Sequence, residues 1–145
     1  MNSDRYICMA FLASLVLWQG SSVADGLKPS PSDAIVKQLF DNEQTGVPGK
    51  ELLMLTVEYL PGGASLPHRH DAQVFVYVLE GELEMQVAGN PVVKLRAGQT
   101  FYESPSDVHV VSANASKTKP AKFLVFIVKD KGAPVSRAAT PRAPT

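Results

Sequence analysis

His68-Arg69-His70-Asp71-Ala72-Gln73-Val74-Phe75-Val76-Tyr77-Val78-Leu79-Glu80-Gly81 sets two histidines two residues apart, just ahead of an apolar run that stops at a turn. On an extended segment, positions i and i+2 share a face with roughly 6.5 to 7 Å between their Cα atoms. Both imidazoles then reach one cation at about 2.0 to 2.1 Å. The remaining histidine, His109, opens another β-rich stretch just after Pro105-Ser106-Asp107. A lone histidine on an apolar strand is ordinarily a satisfied core residue. Three in this arrangement are harder to place as core, because each ring nitrogen needs a partner.

Outward from this segment, β-branched and aromatic residues fall in short runs: Ala34–Phe40, Glu51–Tyr59, Val74–Leu79, Leu83–Val87, Pro91–Leu95, Gln99–Tyr102, Val108–Ser112 and Lys122–Val128. Turn formers such as Pro61-Gly62-Gly63, Gly89-Asn90-Pro91 and Ala97-Gly98 separate them, a pattern that predicts an all-β domain. One competing element is a short helix capped near Pro31-Ser32 and running through Leu39. The runs Val74–Leu79 and Phe123–Val128 are apolar at every position, so both faces of those strands are expected to be covered. A homodimer is the expected source of the second cover, with the chain's own terminal segments as the alternative.

The chain has 145 residues with 14 Lys plus Arg against 14 Asp plus Glu. This balance argues against a polybasic nucleic-acid binder. With 45% hydrophobic and 19% charged residues, 11 Pro and 10 Gly, the composition is that of one turn-rich globular domain. Residues 1–24 have signal-peptide layout: Arg5, an apolar run from Tyr6 to Trp18, then Ser22-Val23-Ala24 as a cleavage site. The run is shorter than the roughly 20 residues a spanning helix needs. The expectation is a periplasmic or secreted protein with no stable membrane insertion after cleavage. Cys8 lies in the apolar run, so a chain starting near Asp25 has no cysteine ligand or nucleophile. Residues 25–31 read as a linker and 32–129 as the folded unit. Residues 130–145, with Pro134, Pro141 and Pro144, read as a disordered tail.

Taken together, Gly62, His68, His70 and Gly81, then Gly98, Pro105, His109 and Asn114, resemble the two motifs of the cupin superfamily, small barrels of the jelly-roll or double-stranded β-helix type. The resemblance implies that His68, His70 and His109 are metal ligands inside the barrel. Three positions depart from it. Val74 stands where the acidic ligand normally sits, Asp107 takes the approximate place of a glycine, and Asn114 falls one residue late. Glu103, at a strand end six residues before His109, is the candidate to supply the carboxylate as fourth ligand or catalytic acid/base, although an exposed strand-end glutamate is its simpler reading. Gln73 points away from Val74's side unless the strand bulges there. Asp71 is a candidate acceptor for an imidazole N–H, and Arg69 should point away from the histidines.

Three neutral imidazoles leave the charge of a divalent metal uncompensated, which favours anionic or enolisable ligands. The resemblance implies a metal-dependent dioxygenase acting on a small enolic, phenolic or carboxylate substrate. Fe(II) is the favoured ion, and Mn, Ni, Cu or Zn also suit imidazole donors. The same fold serves isomerases, lyases and non-catalytic binding modules, so a periplasmic module that captures a small molecule or metal is the alternative from another class. Val74, Val76, Met85, Phe101 and Phe126 are the expected cavity wall.

Overall fold

A computed structural model of the chain describes residues 34–43 and 46–139. The signal-peptide and linker readings of residues 1–31 lie outside the described residues. The elements in chain order are β1 (Ala34–Glu43), β2 (Lys50–Tyr59), β3 (Ala64–Ser65), β4 (His68–Arg69), β5 (Gln73–Glu80), β6 (Glu82–Val87), β7 (Val93–Arg96), β8 (Thr100–Glu103), β9 (His109–Asn114), β10 (Ala121–Asp130) and β11 (Arg137–Ala138). They form two antiparallel sheets. One runs β1-β2-β10-β5-β8; the other runs β11-β4-β9-β6-β7, with β3 also paired to β9. The fold is all-β, as the spacing of turns predicts. The helix considered through Leu39 does not form: Ala34–Glu43 is a strand in register with β2, because pairing satisfies every second backbone group of a segment too short to gain much as a lone helix.

Alternation along the strands builds the core. Leu53, Leu55, Val57 and Tyr59 of β2 point inward, as do Val74, Val76 and Val78 of β5 and Leu83 and Met85 of β6. Phe123, Val125 and Ile127 of β10 face them. Each such aliphatic or aromatic side chain contributes about 1.5 to 3 kcal/mol of transfer free energy. The β5–β6 turn depends on Gly81. Its φ is 75°, and a Cβ there would sit 2.6 Å from the Pro120 carbonyl oxygen, so only glycine fits.

The chain's own terminal segments, the alternative cover for the outer face of β5, do not supply it among the described residues: Phe75, Tyr77 and Leu79 are exposed, and β1, at the sheet edge, does not fold over them. One expectation is corrected here: the chain continues in order past Lys129. β10 runs to Asp130, Ala133 N–H donates to the Asp130 carbonyl, and β11 pairs with β4. Burial of the Lys129 ammonium beside Glu51, with a second hydrogen bond to the Ala133 carbonyl at 2.9 Å, anchors the start of this return. Only residues 140–145 of the expected tail lie outside the described residues.

Candidate metal centre

The three histidines and Glu103 come from segments far apart in sequence that the second sheet and the edge of the first bring together. His68 on β4 stands opposite His109 on β9 in the register of that pair. Glu103, the last residue of β8, stands opposite Val74 on β5, and both point inward. His109 owes its inward direction to a bulge. The β6–β9 register shifts between Gln86 and Val87, which face Val111 and His109 respectively. The skipped residue restores parity, so His109, Ser112 and Asn114 are all buried. The same extra residue accounts for Asn114 falling one place late. Its side-chain amide still reaches the Leu60 and Lys119 carbonyls at 3.0 and 2.7 Å and ties the loop ends together.

The side chains form a compact cluster. Ring centroids of His68 and His70 are 4.8 Å apart, those of His68 and His109 5.3 Å. Glu103 Oε1 is 3.1 Å from His109 Nδ1, and Oε2 is 3.8 Å from His70 Nε2. Glu103 and His109 are each only 3% exposed, so Glu103 is not the exposed strand-end carboxylate of the simpler reading. Phe101 stacks on His109, with centroids 5.8 Å apart.

His68 and His70 have their outer nitrogens tied down. Nδ1 of His68 lies 2.7 Å from the Leu66 carbonyl oxygen, and Nδ1 of His70 lies 2.7 Å from that of Val135. A carbonyl only accepts, so both Nδ1 atoms donate, and in the neutral rings both Nε2 atoms keep their lone pairs. Burial pushes the His68 imidazole below its ordinary pKa by more than the hydrogen bond to Leu66 raises it. The neutral ring is the form that binds a metal.

As they stand the rings pack against one another, and among the described residues no three His, Cys, Asp or Glu side chains make a finished coordination shell. The donor set fits a metal nevertheless. Among the described residues, neither ring nitrogen of buried His109 has a hydrogen-bond partner, the Glu103 contact being misaligned for one. Glu103 in turn is a buried carboxylate whose only ion-pair neighbours among the described residues are imidazoles. An unpaired buried carboxylate and an orphaned imidazole both cost free energy, and one divalent cation relieves both.

The cluster opens into a cavity of about 150 Å³, comparable with the roughly 150 Å³ apolar cavity that takes up benzene in another protein. Its walls include Val57, Val76, Met85, Phe123 and Val125.

The sequence model of the cupin domain matches residues 55–127, which spans both histidine segments and half of the chain. The chain belongs to the cupin family. Among curated proteins there is no significant match. Solved structures agree on the fold. An oxalate oxidase in complex with the substrate analogue glycolate is 25% identical with a TM-score of 0.59, the match covering 75% of this cupin and 57% of that chain. The lyase DddQ of Ruegeria pomeroyi DSS-3, which acts on DMSP, is 21% identical with a TM-score of 0.61, covering 88% and 60%. A double-stranded β-helix protein of Klebsiella pneumoniae is 24% identical with a TM-score of 0.57, covering 78% and 90%. The cupin thus spans about three-fifths of the oxalate oxidase and DddQ chains.

The structure places the remaining candidates of this cupin as follows. Gln73 is exposed, and no bulge turns it inward. Arg69 points outward to Asp71 at 3.3 Å. Asp71 accepts no imidazole proton; it pairs with Arg69 and with Arg137, and backbone carbonyls take the role expected of it. Phe126 lies on the outer face against Phe75, because inward positions of β10 are the odd-numbered ones. Phe101 faces the histidine rather than the cavity. Missed from the sequence was a hydroxyl group cluster: Tyr59 Oη is 2.6 Å from Ser65 Oγ and 2.8 Å from Ser112 Oγ, all on the cavity wall. Burial raises the Tyr59 pKa, so the phenol stays protonated. The signal available was its inward parity at the end of β2.

Proposed function

We propose that this cupin is an exported metal-dependent oxidoreductase, a dioxygenase acting on a small enolic, phenolic or carboxylate substrate. His68, His70, His109 and Glu103 hold a divalent transition metal, Fe(II) first among Fe, Mn, Ni, Cu and Zn. The observation that carries this is the buried Glu103 carboxylate set among three imidazoles, two of whose outer nitrogens are already hydrogen-bonded, at the end of a cavity the size of a small ring. The metal, when bound, supplies Lewis acidity and redox chemistry toward oxygen. The chain's own part is to orient the substrate and to hold and move a proton. The Nε2 atoms of His68 and His70 face inward. Glu103 would complete the donor set for the metal, and its carboxylate is the base on the cavity wall that can take the proton from a substrate hydroxyl. The Tyr59–Ser65–Ser112 hydroxyls offer hydrogen bonds to a second substrate oxygen, and Val57, Val76 and Val125 give the cavity an apolar wall for the rest of the substrate. The glycolate bound to the oxalate oxidase favours a small oxygenated ligand.

A second reading, a non-catalytic binding module, is favoured by the lack of a finished shell among the described residues. A cupin lyase is favoured by the likeness to DddQ. Metal content of residues 25–145 beside a His68→Ala, His70→Ala variant, followed by oxygen uptake with enolic and phenolic acids, separates them. One equivalent of metal lost in the variant, with substrate-dependent oxygen uptake, is expected. Metal without oxygen uptake moves the assignment to a lyase or binding module; no metal in the intact protein overturns the centre.

The same proposal includes a homodimer through the exposed face of Phe75, Tyr77 and Tyr102, and export directed by residues 1–24.

A further inference from the structure

His68 and His70 are two residues apart, yet what holds their rings differs. The acceptor for His68 is Leu66, two residues back in the same segment. The acceptor for His70 is Val135, 65 residues away. β4 ends at Arg69, so His70 lies beyond the strand ladder. Asp71, immediately after it, is the one non-glycine among the described residues with positive φ, at 47°. A left-handed conformation at a non-glycine residue costs free energy and persists where surrounding contacts enforce it. Arg69 supplies one such contact to Asp71 at 3.3 Å, and the returning C-terminal segment supplies the rest. Arg137 Nε is 2.9 Å from Asp71 Oδ2, Arg137 and Ala138 pair with Arg69 and His68, and Ala139 N–H donates to the Pro67 carbonyl at 3.1 Å. Val135 and Ser136 reach the cavity wall.

We infer that Ala133–Ala139 is a positioning strap for the metal centre: latched by Arg137 on Asp71, it presents the Val135 carbonyl that fixes the tautomer and direction of the His70 ring. The inference rests on the metal reading above. The strap covers the free edge of β4, which among the described residues is otherwise bounded only by β9. It also sets the nitrogen that His70 offers inward. With Val135 accepting from Nδ1, the proton is kept off Nε2, which faces Glu103. Without the strap, both tautomers and several ring orientations become accessible, and part of the binding energy is then spent on selecting one. Partners of this kind outside the ligand set typically change metal affinity by about 10- to 100-fold.

The test compares the full chain with one ending at Gly132, with Arg137→Ala and with Arg137→Lys. Zn²⁺ affinity is measured by chelator competition, and the His70 tautomer by ¹⁵N NMR of the metal-free proteins. The chain ending at Gly132 is expected to lose about 10- to 100-fold in affinity and to show mixed His70 tautomers while His68 keeps its own. Arg137→Ala moves in the same direction by a smaller factor. Arg137→Lys restores most of the loss, and neither Arg137 variant changes the melting temperature of the metal-free protein appreciably, since an exposed ion pair adds little stability. Unchanged tautomer and affinity in the shortened chain overturn the inference. If that chain does not fold, the Arg137 pair decides: equal Zn²⁺ affinity and an unaltered His70 tautomer in Arg137→Ala overturn it. Absence of Zn²⁺ binding by the full chain overturns the metal reading instead, and the tautomer comparison still decides the strap.

Discussion

Val74 and Glu103 face each other across β5 and β8 in register, both pointing into the barrel. Val74 occupies the position at which the first cupin motif carries its acid, and the carboxylate stands on the neighbouring strand instead. Paired positions on adjacent strands put their Cβ atoms about 4.5 to 5.5 Å apart, so a glutamate on either strand can serve the same point in space.

Exchange between the two positions is therefore testable. Glu103→Gln should lower metal affinity at least ~10-fold, about 1.4 kcal/mol, and Val74→Glu in that background should recover part of it. In the metal-free protein the sign reverses: removing a buried carboxylate that has no Lys or Arg partner among the described residues should raise stability by about 1 kcal/mol. Chemical denaturation with and without chelator reads both effects, and equal behaviour in the two conditions would count against Glu103 as a donor.

Metal removal should lower the melting temperature. Binding to the folded chain alone stabilises it by about 2.7 kcal/mol at a free metal concentration a hundred times Kd. His109→Ala should erase the difference between metal-loaded and metal-free melting, because His109 is the buried ring whose nitrogens have no hydrogen-bond partner among the described residues.

Tyr59 predicts the alkaline limb of stability. Its folded pKa is raised above the ordinary 10.0, chiefly by burial. The folded and unfolded chains hold the same proton below that value. As pH rises past about 10, the unfolded chain ionises first and gains, so stability falls. Ultraviolet titration of phenolate should show a late step, above the ordinary tyrosine range, that belongs to Tyr59. Tyr59→Phe should remove that late step at a cost of about 1 to 2 kcal/mol in lost hydrogen bonds.

Gly81→Ala should destabilise by about 1 to 3 kcal/mol or prevent folding, from positive φ and contact with the Pro120–Ala121 backbone together. Alanine at Gly89, whose φ is also positive but which has open space around it, should cost less. Urea denaturation of the two variants gives the comparison.

For the outer face, sedimentation at micromolar concentration should show a dimer that Phe75→Glu weakens, since a charge opposite Tyr102, 5.1 Å away ring to ring, has no partner in a closed interface. A wild-type monomer at all concentrations would remove the dimer from the proposal.

Much of this was open to a reader of the chain alone. Alternating apolar positions and turn residues at Gly62-Gly63, Gly81 and Gly98 specify an all-β barrel, because side-chain direction in a strand has a period of two and only turn chemistry interrupts it. The His68-Arg69-His70 spacing and the placement of His109 after Pro105 mark the site, since i and i+2 share a face wherever the segment is extended. What folding in three dimensions added concerns residues distant in sequence. Glu103 reads as a surface acid until β8 pairs with β5. His109 and Asn114, an odd number of residues apart, read as opposite-facing until the β9 bulge supplies the missing step. Ala133–Ala139 reads as a solvated tail because its contacts, with Pro67 to Asp71, lie some 65 to 70 residues back. Local periodicity records where a side chain points relative to its own strand; which strand lies alongside, where a register slips and what closes over an edge depend on the summed packing of the whole barrel, and no local window contains that information.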